Sequence, residues 1–487
     1  MRPLEIALSL ALVPPILLFL SPTRPESART GWFSLLALVI AVLQLAIERY
    51  RWQMFPIYFV VVALVAYECI RWFRPVHPSY IAGLGCLCLL LGAVFMSTAL
   101  PIFTLPALTG SYKVGTQVRH LVDETRRDPF SSNPNDPREL MIQIWYPADR
   151  AVRGTVAPYR EKRSTTFRNS RWALVKTHSL LNVPVSNEQV HYPVLVFAPS
   201  WIGQRWENTF EAEDLASHGY IVIGMDHPYS SRATVFPDGR IIYQKPTAGE
   251  DYSSQAALDA FVKAAEVQVN VRTADARFVL DTLERLNQDD PGKLLTGKLD
   301  LNRAGIFGFS IGGAVAVQVC SLDPRFKAGI NMDGMIVGES AEHGARRPFL
   351  FMMGADALPA AMDASSRNAT ERREIEFDNS QFALMKRSLA AYGGYWMVVP
   401  DTAHNDFSDS PFSSPLRMVS HSGSIDPEQM ARIVNRYSLA MFNKYLNGQP
   451  EPLLDGPSPE FPEVHFQVWP VRNGSDEIAN QTSVLQR

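Results

Sequence analysis

The chain has 487 residues, 46% hydrophobic and 20% charged, a balance that excludes a disordered chain, a collagen-like repeat or a coiled coil as a description of the whole. Lys and Arg number 46 against 49 Asp and Glu, a formal charge of −3, so the basic footprint that nucleic-acid binding requires is missing. Cys69, Cys86, Cys88 and Cys320 are too few and too badly placed for a disulfide framework. Cys86 and Cys88 lack the spacing and neighbouring His of a zinc site, and neither a metal nor a cofactor is expected.

The apolar excess lies at the start. Four apolar runs, residues 4–20, 32–47, 54–70 and 80–100, each come near the 17–25 residues that a bilayer requires. Trp32, Tyr50, Trp52, Trp72 and Tyr80 fall at their ends, where amphipathic rings prefer the interface. Residues 1–109 therefore read as a multi-pass transmembrane region of four helices, in a plasma or inner membrane, with the bilayer as partner. The first run also fits a cleaved signal peptide, which leaves three spans. Glu5, Gln44 and Glu68 are the strongly polar side chains of these runs. Glu5 and Glu68 stand near helix ends, from which they are expected to reach the interface, and no polar path of the kind a transporter needs recurs along the helices. Lys and Arg balance across the links, so no orientation is assigned.

From residue 110 short β-rich runs alternate with helical stretches, and residues 110–470 are enough for one large α/β domain, followed by a polar, disordered tail over 471–487. Strands are expected at 140–146, 194–198, 220–225, 304–307, 328–332, 349–353 and 395–399. Several are continuous apolar runs, as in a parallel sheet covered on both faces. A helix over 267–286 would set Val271, Ala274, Phe278 and Leu283 near one face. The last helix opens at Asp426-Pro427-Glu428-Gln429 with a cap residue and a first-turn Pro, and Gly448 closes it. The alternation predicts a mostly parallel, doubly wound sheet.

Gly308-Phe309-Ser310-Ile311-Gly312-Gly313 directly follows the strand at 304–307 and precedes a helical stretch. Strand, sharp turn and helix form an elbow that presents a serine Oγ above the sheet. A hydroxyl is a poor nucleophile until a base takes its proton, and chains with this elbow run serine, acid, histidine. Of His343, His404, His421 and His465, His404 follows the strand at 395–399 and so stands at the carboxyl edge of the sheet where the elbow emerges; His421 is the alternative. The acid stays open between Asp333 and Asp356, which follow successive strands. Oxyanion donors are expected at the backbone N–H of Ile311 and of Ile202, in the loop after the strand at 194–198. Trp201 lines an acyl or leaving-group pocket or packs in the core.

These residues resemble the platelet-activating factor acetylhydrolases of the plasma, lipoprotein-associated phospholipase type. The stretches that match are Gly110-Ser111-Tyr112-Lys113-Val114-Gly115, Ile144-Trp145-Tyr146-Pro147, Tyr192-Pro193-Val194-Leu195-Val196-Phe197, Asp214-Leu215-Ala216-Ser217-His218-Gly219-Tyr220, the Ser310 elbow, Phe326-Lys327-Ala328-Gly329-Ile330-Asn331-Met332-Asp333, and His404 with Phe407. The resemblance implies an α/β-hydrolase fold and favours Asp333 as the acid. It also implies a metal-independent serine esterase for short-chain or oxidised acyl esters of phospholipids, acting through an acyl-enzyme. Two departures stand against it. Ser200-Trp201 occupies the place of the family's usual His-Gly, and the secreted members lack the N-terminal helices, so lipoprotein association does not carry over. The expectation is a membrane-anchored serine ester hydrolase with Ser310, Asp333 and His404 catalytic. A general carboxylesterase or polyester-type hydrolase, and an inactive hydrolase-like scaffold on a membrane binding or sensing module, are the alternatives.

Overall fold

Four apolar helices open the chain: α1 (Pro3–Leu20), α2 (Ser27–Ile47), α3 (Phe55–Phe73) and α4 (Tyr80–Ala99). The computed structural model describes residues 1–21, 27–74, 76, 79–161, 170–358 and 368–470. Within the described residues α1, α4 and the stretch Trp52–Phe73 are long and apolar enough to cross a membrane; the second expected span falls in the shorter apolar helix Gly31–Ile47. Leu8, Leu12, Ile16, Ile57, Val60 and Ala93 pack inward, while Leu10, Leu17, Trp32, Leu91 and Phe95 face outward and exposed. A helix apolar on its outward face suits lipid better than water.

The expectation that Glu5 reaches the interface is corrected. Its carboxylate is buried, with Oε1 2.7 Å from an Nη of Arg2 and 2.8 Å from Nε of Arg51, itself buried. An unpaired carboxylate there would be far costlier than one matched by two guanidinium groups. The compact unit that holds these helices, Met1–Thr104, also includes Pro158–Val175 and Phe412–Ser420. Arg171 donates to the carbonyls of Pro101 at 2.7 Å and Ser413 at 2.9 Å, and the Phe103 ring meets Tyr159 and Trp172 edge-on.

The second unit, Leu105–Ala157, Lys176–Pro411 and His421–Arg487, holds the sheet. In chain order come β1 (Lys113–Arg127), β2 (Pro137–Ala148), β3 (Val156–Pro158), β4 (Lys176–Leu181), β5 (Tyr192–Ala198), α5 (Thr209–Ser217) and β6 (Ile221–Asp226). A small hairpin, β7 (Ala233–Val235) and β8 (Ile241–Tyr243), and the long α6 (Gln255–Gln288) follow. Then come β9 (Leu299–Phe309), α7 (Ile311–Leu322), β10 (Phe326–Met332), α8 (Glu339–His343), β11 (Phe349–Met353), α9 (Ala369–Tyr392) and β12 (Gly394–Val398). The chain ends with α10 (Arg417–Ser420, in the first unit), α11 (Pro427–Asn447) and β13 (His465–Trp469).

Among the described residues eleven strands form one sheet in the order β13-β12-β11-β10-β9-β5-β6-β2-β1-β4-β3. The run from β12 to β6 is parallel, with antiparallel partners β13 and β2 at its two ends. Every residue of β5, β6, β11 and β12 is buried, as their apolar sequences require for strands covered on both faces.

β1 was not expected. It is polar, with a mixed burial pattern, and its register against β2, from Lys113 opposite Ala148 to Asp123 opposite Arg138, rests on backbone pairing that no apolar run announces. α6 begins twelve residues before the expected start, with the Ser254 side chain accepting from Ala257 N–H at 3.2 Å. Its first turns bury Leu258 and Phe261 in a small separate cluster rather than the main core. α11 opens on the Asp426 cap and closes at Gly448 with φ 65°. The tail over 471–487 lies outside the described residues.

Candidate active site

β5 and β9 are neighbours, yet β6 lies beyond β5 on one side and β10 beyond β9 on the other. Chains that leave adjacent parallel strands in opposite directions open a crevice at the carboxyl ends. Ser310 and the loop after Ala198 stand at that crevice.

Ser310 links β9 to α7 with φ 58° and ψ −126°, a strained conformation for a residue with a Cβ. It is held by its own N–H to Met332 O at 2.8 Å and by Gly313 N–H to its carbonyl at 2.8 Å. The flanking glycines are required by space. A Cβ on Gly308 would lie 2.1 Å from Gly312 O, and one on Gly312 would lie 1.9 Å from Ala198 O and 2.8 Å from Pro199 O. That approach seats the first turn of α7 against the chain leaving β5. Ile311 is the first residue of α7, where a helix leaves its N–H groups without intrahelical acceptors. Ile202 lies in the adjoining turn, closed by Gly203 N–H to Ser200 O at 3.0 Å and tied to Arg232 N–H through its own carbonyl at 3.0 Å.

Asp333 follows β10 directly, with φ 53°. Its N–H bonds Met352 O at 2.8 Å and one carboxylate oxygen accepts from Gly354 N–H at 2.8 Å. The other oxygen meets Nδ1 of His404 at 2.7 Å. A proton on Nδ1 donated to this carboxylate leaves Nε2 as the acceptor. The imidazole is half-exposed and lies 4.8 Å from the ring of Phe309, the residue before Ser310.

The His404 loop is fastened at several points. Thr402 Oγ1 donates to Val399 O and accepts from Ala355 N–H. Asp406 accepts from Ala403 and Gly423 N–H, and Asp409 accepts from Thr209 and Phe210 N–H at the start of α5. Of the two acid candidates, Asp333 contacts His404. Asp356 lies at the end of β11, in the short helical turn Ala355–Ala357, and no hydrogen bond joins it to His404 among the described residues. His421 stands apart from this pair in sequence and carries a left-handed backbone of φ 53°.

Crowding by protein atoms opposes a charged His404, but the bond to Asp333 and the carboxylates of Asp333, Glu250 and Glu207 outweigh it and raise its pKa. Asp356 is raised by burial and by the charge of Asp333. Asp378 is pushed up to about 7 by burial and by Glu374, Asp356, Glu250 and Asp333, so the surroundings are acidic. Sequence reasoning missed Glu207, whose carboxylate accepts from Ser200 N–H and Oγ, each at 2.7 Å; no spacing marks it. Trp201 packs against Phe261, rings 5.7 Å apart, beside Tyr252, Leu258, Met335 and Phe377. Among the described residues no group of three or more His, Cys, Asp and Glu is placed to hold a metal ion.

Residues 98–452 match the family model for platelet-activating factor acetylhydrolase, isoform II. A probable 1-alkyl-2-acetylglycerophosphocholine esterase of Arthroderma benhamiae is 26% identical over 416 residues, covering 78% of this chain and 98% of that one. The platelet-activating factor acetylhydrolase of Cavia porcellus is 26% identical over 370 residues, covering 70% and 78%. Among solved structures, a ferulic acid esterase from Streptomyces cinnamoneus superimposes with a TM-score of 0.61 at 29% identity, over 75% of this chain and all of that one. The mostly parallel sheet is thus an α/β-hydrolase sheet, and the chain belongs to the platelet-activating factor acetylhydrolase isoform II family as a serine hydrolase of carboxylic esters.

Proposed function

We propose that Ser310, His404 and Asp333 are the catalytic residues of a lipid ester hydrolase held at a membrane by its N-terminal helices. His404 Nε2 takes the Ser310 proton as Oγ attacks the ester carbonyl, and Asp333 fixes the tautomer and offsets the imidazolium charge. The N–H groups of Ile202 and Ile311 receive the developing oxyanion. His404 then protonates the departing alkoxide, and water, activated by the same imidazole, releases the acyl group from Ser310.

The observation that carries this reading is the 2.7 Å contact between His404 Nδ1 and Asp333, with the same imidazole 4.8 Å from the ring of Phe309, the residue before Ser310 in the strained turn between β9 and α7. The substrates of this reading are short-chain or oxidised acyl esters of phospholipids; the 2-acetyl ester in the name of the Arthroderma protein is a short-chain ester of this kind. In this reading the acyl group is received by the apolar cluster of Trp201, Phe261, Met335 and Phe377, supported by its packing around Trp201, the neighbour of Ile202. Residues 1–109 form the anchor, a reading supported by the three helices long and apolar enough to span a bilayer.

The test is hydrolysis by detergent-solubilised full chain of p-nitrophenyl esters of increasing acyl length, beside a short-acyl phosphatidylcholine and the 2-acetyl ether lipid. Activity on the lipid esters that is lost in Ser310→Ala supports the proposal. Folded protein inactive on every ester would move the weight to a scaffold. Retention of the chain in alkaline-washed membranes tests the anchor separately.

A further inference from the structure

Behind the loop that carries Ile202 lies a buried cation. Arg272, in the middle of α6, is fully buried, and its guanidinium donates to three consecutive carbonyls: to Pro199 at 3.0 Å and Ser200 at 2.8 Å through Nη1, and to Trp201 through Nη2. Burying a guanidinium is costly unless its charge is matched and its donors are used. The matching charges are Asp275, on the same helix, and Glu207. Asp275 is itself held by Arg138 and His227. Arg272 therefore commits a charged fork to one turn of backbone.

The direction of those carbonyls decides the direction of the amides. In a trans peptide the C=O of one residue and the N–H of the next lie in one plane and point opposite ways. Among the described residues no peptide bond is cis, so Trp201 C=O directed at Arg272 sends Ile202 N–H away from α6. Glu207 holds the near end of the same turn through Ser200 N–H and Oγ, and the Ala198 and Pro199 carbonyls abut the start of α7 through Gly312.

We propose that Arg272 is a positioning residue that aims the Ile202 amide at the oxyanion. The inference rests on reading Ile202 as an oxyanion donor, as above. Lysine at this position keeps the charge but has no planar fork with which to engage three carbonyls at once. A loop free to rotate that peptide loses a donor made strongest in the transition state, which acts on kcat and leaves ground-state binding alone.

The experiment uses the full chain in detergent, with active sites titrated by a fluorophosphonate so that rates are per functional serine. Arg272→Lys is expected to lower kcat on a short-acyl ester by about 10²-fold, the order seen for loss of one oxyanion donor, with KM close to wild type. The Ki of a trifluoromethyl ketone, whose hemiketal oxyanion needs the same donors, should rise in parallel. Arg272→Gln replaces Arg272→Lys if the latter does not accumulate, and the same selective loss is required of it. Wild-type kcat per titrated site, or a change confined to KM, would overturn the proposal. Two controls separate it from the reading beneath it. Exchanging the Trp201–Ile202 amide for an ester removes the N–H and weakens the Trp201 carbonyl as an acceptor, and unchanged kcat there would remove Ile202 as donor. Activity surviving in Ser310→Ala would remove the site reading altogether.

Discussion

His404 and Asp333 are 71 residues apart in the chain and joined at 2.7 Å in the fold. Asp333 leaves β10 directly, whereas His404 sits in the loop after β12, with β11 between the two strands. The loop reaches across the end of β11 and is pinned there by Thr402 on Ala355 N–H. Asp333→Asn should lower kcat by about 10⁴-fold, the loss expected when the tautomer is no longer held. Asp356→Asn should stay within about threefold of wild type, as for a substitution outside a bonded network. Steady-state kinetics per titrated serine would decide it, and a steep loss in Asp356→Asn alone would transfer the role.

The raised His404 pKa sets the sign of the pH dependence. A general base must be neutral, so kcat/KM should fall on the acid side with a midpoint above the ordinary imidazole value of about 6.5. Removing the Asp333 charge leaves crowding as the main influence, which favours the neutral ring. The residual activity of Asp333→Asn should therefore show its acid limb shifted to lower pH. A limb that shifts upward would contradict this assignment of charges.

Stability carries a second pH signature, at His227. This ring is fully buried, with Nδ1 2.8 Å from Asp275, and its pKa is lowered to about 4, chiefly by burial; the bond and charge of Asp275 oppose the shift, and the charges of Arg272 and Arg138 add to it. The folded chain holds it neutral while the unfolded chain protonates it near 6.5. Its contribution is complete above pH 6.5 and is lost as pH falls toward 4, by up to about 3 kcal/mol. Denaturant midpoints of wild type and His227→Asn should converge between pH 7 and pH 5, and parallel curves would exclude the linkage.

The elbow makes a steric prediction. In Gly312→Ala the added methyl carbon would sit 1.9 Å from Ala198 O, a backbone atom at the end of a buried strand with no freedom to rotate away. Separating α7 from β5 should cost at least the roughly 1–3 kcal/mol of an overpacked core, and it moves the Ile311 amide with it. Gly448→Ala, at a helix end with open space around its Cβ, meets only the left-handed backbone penalty of about 1 kcal/mol. Thermal melts and kcat of the two variants should therefore separate, with activity falling in Gly312→Ala alone.

Much of this was legible in the chain itself. The strands at 194–198, 304–307, 328–332 and 349–353 are apolar because both sheet faces are covered, and β5, β9, β10 and β11 run through them. Ser310 was marked by its glycines, since their spacing records a close approach of two backbones. The caps of α11 were written in Asp426 and Gly448, because capping is local chemistry. What depended on distant partners was not legible. β1 is polar and exists through its register with β2, the early turns of α6 exist for a satellite cluster, and Glu5 reads as an interfacial residue until Arg51 is found against it. Asp333 and Asp356 follow successive strands with equal claim, and it took the path of the His404 loop over β11 to bring one of them to the imidazole. Glu207 and Arg272 carry no motif, because holding a carbonyl or an amide requires an oriented charge at the right place and sets no constraint on sequence spacing. Periodicity and local sterics act over a few residues and can be read in order, whereas the convergence of charges on one loop belongs to the packing of the whole sheet.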